Sequence, residues 1–282
     1  MADSYSPTVR LRRLADELKR MREARKLTME QVAQQLEWSR GKLSRLEAGL
    51  AKRPSVHDVR LLCDVYGMRD ERVREALVAL ARDARKRGWW SAYKDVLTGS
   101  FIGLESEASE IRTFQPLIVP GLLQTREYAR EMVLSSMVDD PHEVERRVEA
   151  RIERQKILAR DDAPRIWAVI DEAALARPVG GPDVWRGQLR RLIETRELEH
   201  VTVLVLPMGA GPHPGLAGQF VLLDFPGELD RPVVYLETAT DSLYLEQPSE
   251  IDRYRVMFDR LLAMALSTEE SIGHLEGLID GL

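Results

Sequence analysis

Residues 28–49 read TMEQVAQQLEWSRGKLSRLEAG, and this stretch decides the fold of the first part of the chain. Thr28, followed three residues later by Gln31, has the pattern of a capping box and predicts the start of a short helix. Ser39 is placed to cap a second helix, which Gly49 ends. The stretch therefore predicts two short helices joined by a tight turn.

Apolar residues recur every three or four positions on both sides of this stretch, which is the period of an amphipathic helix. The pattern predicts one helix before Thr28, one that opens at Pro54 and Ser55, and one that starts at Asp70 and ends at residues 86–88. Five short helices predict an all-α domain over residues 1–88. Cys63 lies on an apolar stripe and is predicted to be a small core residue.

The second helix of the quoted stretch has a face suited to DNA. With Leu43 and Leu46 toward the core, the remaining positions point outward or lie on the flanks. Small residues let the backbone approach a groove floor, and arginine is the commonest reader of guanine. The residues predicted to read base edges are Arg40, Gly41, Lys42, Ser44 and Arg45. Helix caps and the basic loop are predicted to hold phosphates, through Thr28, Gln31, Ser39, Lys52 and Arg53.

Ala33, Ser39 and the run LSRLEAG at residues 43–49 resemble the helix-turn-helix of Cro/repressor-type regulators of the xenobiotic-response-element class. The resemblance implies that double-stranded DNA is a partner. Glu47 in this motif is predicted to pair locally within the domain. Glu37 departs from the family, which usually has glycine in the turn, and a left-handed backbone there carries a steric cost for glutamate.

Charge is distributed unevenly along the 282 residues. Residues 1–90 hold 21 Lys and Arg against 13 Asp and Glu, a balance of +8, whereas the rest of the chain has a balance of −13. This asymmetry predicts a basic nucleic-acid-binding domain joined to an acidic body. The length suits two domains, which we place at residues 1–88 and 89–282.

Cysteine usage and hydropathy exclude several classes of protein. One cysteine excludes a disulfide framework and a Cys-rich zinc site. The start of the sequence has no apolar stretch, so we expect no signal peptide. No apolar run approaches the length of about 18 residues that a membrane span needs. We therefore expect a cytoplasmic protein with no membrane association.

The acidic segment reads as a mixed α/β domain, so that the chain is α+β overall. Periodicity predicts helices over residues 103–115, 124–160, 182–198, 249–266 and 268–278. Apolar runs predict a central sheet of about four to five strands, with candidates at residues 166–170, 201–206, 219–225, 233–236 and a short one at 243–245.

Three runs in the acidic segment resemble a known family. They are VPGLLQT at 119–125, DEAAL at 171–175 and VYLE at 234–237. Together they are similar to the C-terminal domain of a family of antitoxin-like transcriptional regulators. The resemblance implies a very small partner protein and a role in bacterial development or antibiotic production. It implies a partner more than a mechanism, since the biochemical activity of this domain is unknown in the family.

No catalytic residue, metal site or cofactor is predicted. The sequence lacks both GxxxxGK[ST] and GxGxxG, the loops that cradle phosphates. His213 lies in a Gly-rich loop without a second ligand at metal-binding spacing, and Asp171 and Glu172 are interpreted as strand-end caps. A homodimer is expected, because helix-turn-helix domains usually read two half-sites.

Three classes of function remain open. The first is a regulator whose acidic domain binds a small partner protein and dimerises. The second is a one-component regulator whose acidic domain senses a small molecule. The third, an enzyme tethered to DNA, has the least support from the sequence.

Overall fold

The computed structural model describes residues 9–51, 53–84, 89–93, 95–97, 101–226, 230–238 and 240–282. The described residues fall into two compact units, unit 1 within Met1–Ala92 and Thr98–Leu104, and unit 2 within Tyr93–Leu97 and Glu105–Leu282. The predicted boundary between residues 88 and 89 stays a prediction, because residues 85–88 lie outside the described ranges. The predicted end of the fifth helix lies outside them as well.

Between residues 9 and 84, unit 1 has the five predicted helices: α1 (Val9–Ala24), α2 (Met29–Gln35), α3 (Arg40–Glu47), α4 (Val56–Val65) and α5 (Glu71–Asp83). The capping box is confirmed, since Thr28 Oγ1 accepts from the Gln31 backbone N–H and Gln31 Oε1 accepts from that of Thr28. Ser39 Oγ accepts from the backbone N–H of Lys42 and caps α3. Local side-chain chemistry therefore fixes where α2 and α3 begin.

The core of unit 1 joins all five helices through apolar side chains that include Leu18, Val32, Leu43, Leu62 and Leu77. Cys63 is fully buried among them, and this burial raises the pKa of its thiol. The thiol is thus kept in its protonated, less nucleophilic form. This placement agrees with the prediction of a small core residue.

The turn between α2 and α3 is strained at Glu37, which adopts φ of +55°. A left-handed backbone costs a non-glycine residue about 1–2 kcal/mol. Glycine at this position would remove that cost. Part of the stabilisation, roughly 0.5–1 kcal/mol, is lost again because glycine has more conformational freedom in the unfolded chain. We predict that Glu37→Gly raises the free energy of unfolding of unit 1 by about 0.5–1 kcal/mol, measured by urea denaturation. Gln34→Gly within α2 is the control and should lower stability; a loss of stability in Glu37→Gly would contradict the prediction.

Unit 2 is built on a six-stranded sheet in the order β3-β2-β1-β4-β5-β6. The strands are β1 (Glu110–Gln115), β2 (Arg165–Asp171), β3 (Val201–Leu206), β4 (Phe220–Asp224), β5 (Val233–Glu237) and β6 (Ser242–Leu245). β1, β2 and β3 run parallel, whereas β4, β5 and β6 continue the sheet with antiparallel pairings. The predicted α+β fold is confirmed.

The prediction of a helix over residues 103–115 is wrong beyond residue 107. A helix, α6 (Phe101–Glu107), is followed by strand β1, which raises the sheet from the predicted four to five strands to six. β1 lies in the middle of the sheet, where Ile111 and Thr113 are buried on one face and Phe114 on the other, while Glu110 and Arg112 are partly exposed. Ile111 and Phe114 are three positions apart, a spacing that also fits the period of a helix, so the pattern did not indicate a strand.

The other helices of unit 2 are α7 (Arg126–Leu134), α8 (Pro141–Arg154), α9 (Glu172–Leu175), α10 (Gly181–Glu194), α11 (Pro248–Met264) and α12 (Thr268–Asp280). One face of the sheet packs on α11 through Phe114, Phe220 and Phe258. The opposite face carries Thr113, which is in register with Val221 and, through it, with Tyr235.

Within the described ranges, no helix has the length and hydropathy that a membrane crossing requires.

Candidate nucleic-acid interface

The outward face of α3 has the arrangement that the sequence predicts. Leu43 and Leu46 are buried, while Gly41, Ser44 and Arg45 are exposed. A Cβ built on Gly41 would meet no heavy atom within 4 Å, so the helix backbone is open to solvent at this point. Small residues beside an exposed arginine form a surface that can enter a groove of DNA.

Arg40 lies at the start of α3 and forms an ion pair across the turn, with its Nε 3.0 Å from Glu30 Oε1. Both side chains are mostly exposed, at 71% and 59%. Exposed ion pairs contribute about 0–1 kcal/mol, so Arg40 can exchange this partner for an acceptor on DNA at little cost. Sequence reasoning missed Glu30, because nothing in local periodicity pairs residues on two different helices.

Lys42 is held more firmly than the other predicted base-reading residues. Its Nζ lies 2.8 Å from Asp58 Oδ1 on α4 and 3.8 Å from the centroid of the Trp38 ring. The side chain is partly buried, and the carboxylate and the face of the ring both attract its ammonium group. Lys42 thus connects α3 to α4 and to the turn, while its contact with a base stays a prediction. Its partner Asp58 was missed, because it lies 16 positions away in sequence.

The predicted phosphate-binding residues lie around the start of α2 and beyond the end of α3. Thr28 and Gln31 are exposed and use their side-chain oxygens in the capping box, which leaves Gln31 Nε2 as a donor. Ser39 and Arg53 are exposed as well. Lys52 lies outside the described residues, so its predicted role has no structural counterpart here.

A buried ion pair sets the position of α3 against α1. Glu47 Oε1 lies 2.8 Å from Arg22 Nε, and Glu47 Oε2 accepts a further bond of 2.9 Å from the same guanidinium. Tyr66 Oη donates to Glu47 Oε1, and burial together with this carboxylate raises the pKa of Tyr66. The bond with Glu47 also raises the pKa of Arg22. Glu47 therefore pairs within the domain, but with a residue 25 positions away, where a local partner was predicted.

In unit 2, the structure brings together residues that the sequence kept apart. Asp171 Oδ1 caps α9 by accepting from the Ala173 backbone N–H, which confirms its predicted capping role. His213 Nε2 lies 3.3 Å from Asp171 Oδ2, in a pair with little exposed surface. Glu172 Oε2 accepts from the Met208 backbone N–H. In the described part of the chain, no group of three or more His, Cys, Asp or Glu side chains is placed to hold a metal ion.

Comparison with known families finds two matches along the chain. Residues 13–77 match the model of a helix-turn-helix domain. Residues 98–277 match a family described as a domain of unknown function, DUF5753. No curated protein and no solved structure matches the chain. The first match spans both helices of the candidate interface and indicates a DNA-binding regulator.

Proposed function

This chain belongs to the DUF5753 family, and from that premise and its helix-turn-helix domain we propose that it is a sequence-specific transcriptional regulator. The observation that carries the proposal is the exposed face of α3. Gly41, Ser44 and Arg45 are exposed on this helix, whereas Leu43 is buried. The regulator acts in the cytoplasm, where its operator in double-stranded DNA is found.

The roles divide between base edges and backbone phosphates. Arg45 reads a base, most readily guanine, and Arg40 joins it after leaving Glu30. Thr28, Gln31, Ser39, Lys52 and Arg53 position the domain on phosphates and carry no sequence information. Because one such domain reads a short half-site, we propose a homodimer on a pseudo-palindromic operator.

We assign dimerisation and the binding of a small partner protein to the acidic residues from 89 onward. The balance of −13 beyond residue 90 favours a partner with a basic surface. The resemblance to antitoxin-like regulators supports such a partner, with a role in bacterial development or antibiotic production.

Selection of DNA sequences with the full-length protein, followed by a salt titration on the selected site, tests the proposal. We predict a palindromic motif and an affinity that falls steeply with salt, because phosphate contacts release counterions. Arg45→Ala should cost about 1–3 kcal/mol and relax specificity at one base position. Arg126→Ala, which removes an exposed arginine of unit 2, is the matched control and should leave the motif unchanged. If no motif is selected, or if Arg45→Ala selects the same motif with the same affinity, the proposal fails.

A further inference from the structure

Strand β6 ends the sheet of unit 2, and its backbone pairs with β5 on one side. In the part of the chain that the structure describes, no strand pairs with its other side. An unpaired edge presents backbone N–H and C=O groups that another extended chain can bond. The edge of β6 is therefore a place where a partner can add a strand.

The opposite edge of the sheet, at β3, is closed by the chain itself. The backbone N–H of Val205 donates to Ser271 Oγ at 3.0 Å, and the Val205 carbonyl accepts from the Leu266 backbone N–H at 2.8 Å. Ser271 lies on α12, which packs against β3. The two edges thus differ, and β6 is the one open to a further strand.

The hairpin between β5 and β6 determines which backbone groups of β6 point outward. The Thr238 backbone N–H donates to the Asp241 carbonyl at 2.9 Å, so these two residues form a bonded pair. Bonded and non-bonded pairs alternate along an antiparallel ladder, so Leu243 is bonded to β5 and Tyr244 is not. Ser242, which also points outward, already donates its N–H to Asp241 Oδ1 at 2.7 Å. The N–H and C=O of Tyr244 therefore point away from β5, toward the open edge.

One face of β6 is apolar at this edge. Leu243 and Leu245 share the face that packs on α11, because side chains two positions apart in a strand point the same way. Leu245 packs against the core there, whereas Leu243 is 51% exposed. An apolar side chain on an added strand would cover Leu243.

The charge around the edge favours a basic partner. Residues 233–247, which form β5, β6 and the turn between them, have three acidic residues and no Lys, Arg or His. Asp241 is exposed and Glu246 is partly exposed, one on each side of β6 in the sequence. Glu237, at the end of β5, is partly offset by the charges of Arg151 and Arg154. Asp241 and Glu246 therefore give the edge most of its negative charge, which attracts Lys or Arg on an added strand.

We propose that β6 binds an extended basic segment of the small partner protein, which adds a strand to the sheet. The Tyr244 N–H and C=O bond the backbone of the segment, and its apolar side chains cover Leu243. Its Lys or Arg side chains face Asp241 and Glu246. Apolar and basic residues alternate in such a segment, because successive side chains of a strand point to opposite faces. The inference rests on the partner in the proposed function and names the surface that binds it.

Binding of a dye-labelled peptide of alternating lysine and valine to the full-length protein, measured by fluorescence anisotropy, tests the proposal. The parent should bind this peptide saturably, and should bind a peptide of alternating glutamate and valine about tenfold or more weakly. Tyr244→Pro removes the outward N–H and leaves the bonds between β5 and β6 in place. This variant should bind the lysine–valine peptide about tenfold or more weakly than the parent.

A double variant, Asp241→Asn with Glu246→Gln, keeps the edge and removes its charge, so it should bind the lysine–valine peptide several-fold more weakly. Glu269→Gln with Glu276→Gln is the matched control, because it removes two exposed carboxylates from α12 and should bind like the parent. These two double variants also test the site if Tyr244→Pro does not fold.

Equal binding of the lysine–valine peptide by the parent and Tyr244→Pro would exclude β6 as the site, while the basic partner of the proposed function would stand. A parent that selects a DNA motif but does not bind the peptide would overturn the inference without affecting DNA binding. Equal binding of the glutamate–valine peptide would overturn the assignment to a basic partner. Sedimentation gives a last outcome: a dimeric parent that becomes monomeric in Tyr244→Pro would place a second copy on this edge and overturn the proposal.

Discussion

Glu47→Gln is expected to lower the free energy of unfolding of unit 1 by about 3–5 kcal/mol, because the buried Arg22 guanidinium would be left with the more distant and exposed carboxylate of Glu23, at 3.7 Å. Arg22 would keep its guanidinium in the core, facing an amide that offers one acceptor oxygen in place of the two oxygens of the carboxylate. Tyr66 would lose the carboxylate that accepts its hydroxyl hydrogen. The amide is similar in size to the carboxylate, so the loss reports charge and hydrogen bonding rather than a cavity.

Hydrogen exchange of the α1 and α3 backbone amides, together with urea denaturation, measures this loss. Glu30→Gln is the control, since it removes the carboxylate of an exposed ion pair with Arg40 and should cost no more than about 1 kcal/mol. If the two variants lose equal stability, the Arg22–Glu47 pair does not hold α3 against α1. A destabilised Glu47→Gln should also bind DNA more weakly, since the position of α3 depends on this pair.

Features of unit 1 that depend on neighbouring residues could be predicted from the sequence. The capping box of Thr28 and Gln31 and the cap at Ser39 follow from side chains within three positions of the backbone groups they bond. The strain at Glu37 follows likewise from one residue in a turn that requires a left-handed backbone. These interactions need no knowledge of how the helices pack.

Contacts between distant residues could not be predicted in the same way. Lys42 was expected to face DNA, yet its contact with Asp58 depends on the angle at which α4 crosses α3. The pairing of His213 with Asp171 depends on the path of the chain between β3 and β4. Strand β1 was missed for a related reason, since its pairing with β2 and β4 joins residues far apart in the sequence. Local sequence patterns indicate which side of a helix or strand is buried, but they do not indicate which other elements it packs against.

Glu105→Gln is expected to lower the free energy of unfolding of unit 2 by about 3–5 kcal/mol. Arg154 would lose a bidentate partner whose side chain is 3% exposed. The loss is compounded because the positive charge of Arg151 also acts on Arg154, and the carboxylate of Glu105 offsets this repulsion in the parent. Urea denaturation, with hydrogen exchange of the β1 amides as the local readout, measures the effect.

The double variant Glu105→Leu with Arg154→Met separates charge from packing. Replacing both partners of a buried ion pair with apolar residues of similar size is often close to neutral, so this variant should recover most of the stability that Glu105→Gln loses. If the double variant is as unstable as Glu105→Gln, the stability of unit 2 depends on the shape of these two side chains, and the argument from charge is wrong.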